Sequence, residues 1–103
     1  MSGGLQVRVE LPQPFGPGAI KLAFVDGRQI LIVNVEGMLR AIENSCPHAG
    51  ASLFGGKLIG GKLRCPSHGL LIDLATGCAG GEGGPQAQVY SIELVEGGVL
   101  LTL

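Results

Sequence analysis

The chain has 103 residues, a hydrophobic fraction of 46%, 15% charged residues and a formal net charge of −1 at pH 7. That length holds one domain, residues 1–103, with no room for a second core, and the apolar fraction argues for a folded chain. A charge so near zero offers no basic field for nucleic acid, and no run approaches the roughly 18 to 20 apolar residues that span a bilayer.

Leu5, Val7, Val9 and Leu11 alternate with Gln6, Arg8 and Glu10, the period-two signature of a half-buried strand. Pro12, Pro14 and Pro17, with Gly16 and Gly18, then forbid regular structure. Ile20 to Val25 and Arg28 to Val35 are β-rich runs joined by Asp26-Gly27, the strongest hairpin signal in the chain. Glu36-Gly37 turns the chain into a further strand, Met38 to Glu43, which runs directly toward Cys46. Gly55-Gly56-Lys57-Leu58 and Gly60-Gly61-Lys62-Leu63 form a near repeat, too short for a solenoid. It reads as a hairpin of Lys57 to Ile59 and Lys62 to Arg64 about Gly60-Gly61. Leu70 to Leu74, a turn at Thr76-Gly77 and a glycine-rich connection through Gly80, Gly81, Gly83, Gly84 and Pro85 follow. Gln88 to Leu94 and Val99 to Leu103 are strands around Glu96-Gly97-Gly98. No segment keeps a helical period, so the expected fold is all-β and antiparallel, a sandwich or barrel.

Chemistry concentrates in one stretch: Cys46-Pro47-His48, sixteen residues, then Cys65-Pro66-Ser67-His68. It takes both histidines and two of the three cysteines. Zinc sites usually pair cysteine with cysteine and histidine with histidine, so two mixed loops are an unusual zinc pattern. A zinc-bound structural or interaction module with these four ligands is nevertheless an alternative.

The stretch, with Gly50 and Gly69 close behind each histidine, resembles the Rieske [2Fe-2S] family, in which two histidines replace two cysteines on one iron. The resemblance implies that Cys46 and Cys65 are thiolate ligands of one iron, and that His48 and His68 are imidazole ligands of the other. It places a small cluster-binding subdomain of two loops, about 45–75, inserted in a basal β domain. Pro47 and Pro66 fix φ and reduce the entropy lost when such loops close. Gly50 and Gly69 allow close backbone approach. Two ferric irons, two sulfides and two thiolates with neutral imidazoles are neutral when oxidised and −1 when reduced, so an electron enters more easily than in a four-cysteine cluster. With two cysteines so employed, the third has no disulfide partner, in keeping with a reducing compartment.

Ala51 and Ser67 stand where the respiratory and photosynthetic members carry a disulfide, and Leu70 where they carry a hydrogen-bonding serine. Fewer donors to sulfur imply a potential in the lower part of the family range of about −150 to +300 mV. The chain is therefore similar to soluble Rieske-type ferredoxins, carriers between a flavoprotein reductase and the terminal oxygenase of aromatic-ring dioxygenase systems. No second catalytic constellation accompanies the motif, so a cytoplasmic, monomeric electron carrier is expected and not an enzyme. A permanent Rieske subunit of a larger reductase, such as the nitrite reductase small subunit, is the alternative within the family.

Other residues read more plainly. Cys78 reads as a small hydrophobe or incidental thiol, and Tyr90 as core with its hydroxyl at the edge. Lys57, Lys62 and Arg64 are expected on solvated strand faces, with an acidic partner as the alternative. Leu53, Phe54, Leu70 and Leu71 are expected to shield the cluster, with partner docking as the sharper reading.

Overall fold

A computed structural model describes residues 5–12, 14–45, 52–66, 69, 71–78 and 86–103. Its strands are β1 (Gln6–Glu10), β2 (Ile20–Val25), β3 (Arg28–Val35), β4 (Met38–Glu43), β5 (Lys57–Ile59), β6 (Lys62–Arg64), β7 (Leu71–Asp73), β8 (Val89–Val95) and β9 (Gly98–Thr102). Among the described residues there is no helix, and so none long and apolar enough to cross a membrane. β2 to β6 have the expected bounds. β8 and β9 are displaced by about one residue, and β7 is shorter than the expected strand, whose first residue, Leu70, lies outside the described residues.

Every pairing is antiparallel. Six strands form one sheet in the order β1-β9-β8-β4-β3-β2, and β5-β6-β7 form a second. The two edge strands of the larger sheet, β1 and β2, line one crevice between Val7–Glu10 and Lys21–Val25, so the sheet curls almost into a barrel. The turns explain the tight hairpins. Asp26 and Gly27 have φ of 50° and 77°, and Glu36 and Gly37 have φ of 53° and 95°. Two positive φ values in a two-residue loop match the right-handed twist of the strands on either side. β9 begins a residue early because Gly98 carries no side chain: a Cβ there would sit 2.2 Å from the Val9 carbonyl oxygen of the paired β1.

β3 is the wall shared by two cores. Ile30 and Ile32 point into the barrel with Ala23, Val25, Ala41, Tyr90, Val99 and Leu101. Leu31 and Val33 point the other way, against Leu53, Leu63, Cys65, Ile72 and Leu74. All four β3 side chains are fully buried, each contributing about 1.5–3 kcal/mol of apolar transfer. This second core fastens the small β5-β6-β7 sheet, inserted between β4 and β8, to the outside of the barrel.

At the end of the barrel where β4 finishes, Tyr90 on β8 donates its hydroxyl proton to the Glu43 carboxylate on β4. Arg28 on β3 donates to the same hydroxyl oxygen at 3.5 Å and lies 5.9 Å from the ring centroid, within cation–π range. Burial pushes the Tyr90 phenol above its ordinary value, the Glu43 bond adds to the rise, and Arg28 opposes it. The folded protein thus holds a proton that the unfolded chain releases near pH 10. The stabilisation is complete below about pH 10 and is lost as pH rises through the folded value, at up to about 1.4 kcal/mol per pH unit. Tyr90→Phe should unfold more easily at pH 8 yet lose stability less steeply above pH 10, measured by denaturant unfolding at stepped pH. Parallel curves would show a solvated hydroxyl. The chain has one tyrosine, so phenolate absorbance follows this group directly.

Candidate metal centre

β4 delivers the chain to the first expected ligand loop through Asn44 and Ser45. Asn44 is buried and uses nearly all of its hydrogen-bonding capacity. Its backbone N–H donates to the Gln29 carbonyl at 2.8 Å, and its side-chain Nδ2 donates to Gln29 Oε1 at 3.0 Å. Its Oδ1 accepts from the N–H of Leu53 at 2.7 Å, the N–H of Phe54 at 3.0 Å and the hydroxyl of Ser52 at 3.1 Å. One side chain therefore draws together the two ends of the segment 46–51 and fixes both to the start of β3. A loop whose ends are already held loses less entropy when its ligands converge. Nothing in the ligand spacing pointed to Asn44. Its signal is the asparagine at a strand end facing a loop, a residue suited to satisfying local backbone donors.

The second loop leaves β6 at Cys65. Cys65 is 1% exposed and belongs to the core formed by Leu31, Val33, Leu53, Leu63 and Ile72. Its carbonyl accepts from the Gly69 N–H at 2.9 Å, with Gly69 in the left-handed region at φ 73°. A Cβ on Gly56 would stand 2.3 Å from the Arg64 carbonyl oxygen, so only glycine lets the entry to β5 lie this close to the exit of β6. Together Gly55, Gly56, Lys57, Arg64, Cys65, Pro66 and Gly69 line a cleft. The Arg64 guanidinium lies across Gly69, its Nε and Nη2 each 3.2 Å from the place a Cβ would occupy.

Of the four expected ligands the structure describes Cys65; Cys46, His48 and His68 lie outside the described residues, as do Pro47, Gly50, Ala51, Ser67 and Leu70. The described part suits a sulfide-bridged iron cluster: a buried thiol at a cleft to which Gly55, Gly56 and Gly69 contribute backbone without side chains. Leu53 is fully buried in the core shared with Cys65, so it cannot present itself to a partner, whereas Phe54 is 51% and Leu71 38% exposed. Cys78 forms an isolated bridge to Gln86, and its N–H donates to Thr76 Oγ1 at 3.2 Å.

The profile of the Rieske [2Fe-2S] domain matches residues 7–92. The chain belongs to the Rieske [2Fe-2S] domain family. Its cofactor is accordingly a [2Fe-2S] cluster. Among solved structures, the ferredoxin of carbazole 1,9a-dioxygenase from Nocardioides aromaticivorans IC177 superposes with a TM-score of 0.83 at 26% identity, over 94% of this chain and 96% of that one. The ferredoxin component of the naphthalene 1,2-dioxygenase/salicylate 5-hydroxylase systems of Ralstonia sp is 38% identical over 55 residues, covering 53% of each chain. Apoptosis-inducing factor 3 of Mus musculus is 41% identical over 49 residues, 48% of this chain and 8% of that protein. The matched segment thus spans about half of one curated relative and under a tenth of the other.

Asn44→Ala should leave the Leu53 and Phe54 N–H groups without their acceptor, at a cost of about 1–3 kcal/mol, and should lower iron per chain after purification. Asn44→Asp keeps the acceptors and loses the donor to Gln29, so it should retain more iron than the alanine variant. Thermal unfolding and iron determination on both variants check this. Equal iron in Asn44→Ala and the unaltered protein would show that the clamp does not serve the loop.

Proposed function

We propose that this Rieske protein is a one-electron carrier, taking electrons from a flavoprotein reductase and passing them to a terminal oxygenase in the cytoplasm, as a single unit over residues 1–103. Cys46 and Cys65 hold one iron and His48 and His68 the other, on a segment of about 45–75. The observation that carries this reading is the superposition, over nearly the whole of both chains, on a dioxygenase ferredoxin.

The bound cluster supplies a one-electron centre. The residues around it do the rest. Burial of Cys65 beneath Leu31, Leu63 and Ile72 keeps water from that ligand, and the Asn44 clamp holds Leu53 and Phe54 to the end of β4. Arg64, laid over Gly69, brings a fixed positive charge to the second loop. It favours the reduced state, which carries one more negative charge than the oxidised state. The reaction that consumes the electron belongs to the partner.

Iron and acid-labile sulfide should be found in equal amounts, two of each per chain, with a reduced-state electron paramagnetic resonance signal. Zinc in their place would end this reading. Cys46→Ser and Cys65→Ser should each abolish the visible absorption and the resonance signal, while Cys78→Ser leaves both intact. Bleaching by Cys78→Ser would overturn the ligand assignment.

A further inference from the structure

The small sheet has two very different faces. Leu58, Leu63 and Ile72, aligned across β5, β6 and β7, pack inward on the barrel. The alternate positions, Lys57, Ile59, Lys62, Arg64, Leu71 and Asp73, therefore face outward. That face holds three cations against one carboxylate, in a chain whose net charge is −1. It also exposes two large aliphatics, Ile59 at 47% and Leu71 at 38%.

The arrangement is unfavourable for the isolated protein. Lys57 and Arg64 stand directly opposite each other in the register, and like charges so placed repel. Asp73 lies opposite Lys62, but its Oδ1 accepts from the Ala75 N–H at 2.8 Å and it forms no ion pair. Among the described residues the one ion pair is Arg8 with Glu10, at 3.8 Å, on β1. Lys57 and Lys62 are thus left to solvent and Arg64 lies over Gly69, all three beside aliphatic surface that water also disfavours.

The row Lys57-Arg64-Leu71 is the end of this face nearest the cluster, since Cys65 directly follows Arg64 and both line the same cleft. We propose that the outer face of β5-β6-β7 is the docking surface for an acidic redox-partner protein, its carboxylates meeting Lys57, Lys62 and Arg64 and its apolar centre covering Ile59 and Leu71. Charge complementarity relieves the repulsion between Lys57 and Arg64, and the aliphatics favour a protein surface over a polyphosphate. The proposal rests on the electron-carrier reading, and names the chemistry of the partner's surface.

The test uses the cluster-loaded protein, reduced and mixed rapidly with plastocyanin, an acidic electron acceptor, or with cytochrome c, a basic one, at rising sodium chloride; ferricyanide serves as a small control acceptor. The rate with plastocyanin should exceed that with cytochrome c at low salt and should fall as salt rises. The double variant Lys57→Glu/Lys62→Glu, which leaves Arg64 in place and the visible spectrum unchanged, should react with plastocyanin about tenfold or more slowly at low salt. Lys21→Glu, on the face of β2 away from the small sheet, should stay within about twofold of the unaltered protein. A plastocyanin rate insensitive to salt, or equal in the double variant and Lys21→Glu, would overturn the docking face while leaving the carrier reading in place. Failure of ferricyanide to reoxidise the protein would sink the carrier reading and the docking face with it. The salt dependence of the unaltered protein decides the matter even where the double variant does not fold.

Discussion

The whole arrangement depends on β3 being buried on both faces at once. Four consecutive aliphatics, Ile30 to Val33, send alternate side chains into the barrel and into the space beneath the small sheet. A strand that serves two cores cannot slip by one residue without exchanging every contact on both sides. Gln29 and Arg28 at its start inherit that fixity, and both are used where β4 ends: Gln29 by Asn44, Arg28 by Tyr90.

Rigidity therefore passes from packing into polar geometry. Asn44 gathers three donors from the far side of the first loop while being anchored twice to Gln29. Cys65 reaches the same region from the other direction, held by the hydrophobic core and by the tight approach of Gly56 to the Arg64 carbonyl. A metal cluster tolerates little misplacement of its ligands, so stems set by a two-sided core reduce what the loops themselves must specify. Here the apolar and polar interactions act in series.

Much of this was legible in the sequence. Asp26-Gly27 and Glu36-Gly37 announced their hairpins because both central residues of such turns need positive φ, and β2, β3 and β4 took the expected bounds. Cys46, His48, Cys65 and His68 named the family through residue type and spacing alone. The two-sided burial of β3 was less visible, since a continuous apolar run does not say which neighbours will cover each face. Asn44 escaped notice because its importance lies in contacts with residues 52 to 54 and 29, which only the fold brings near. Leu53, expected to shield the cluster or to dock a partner, lies fully buried in the core next to Cys65, which leaves only the shielding role open to it.

The first and last described residues meet side by side: β1 pairs with β9, and the Leu103 N–H donates to the Leu5 carbonyl at 2.9 Å. The polypeptide thus enters and leaves the fold at one point, on a strand pair that takes no part in the small sheet. A unit built this way can be spliced into a longer chain as a cassette, its host seeing only two adjacent attachment points and its electron-handling end left untouched.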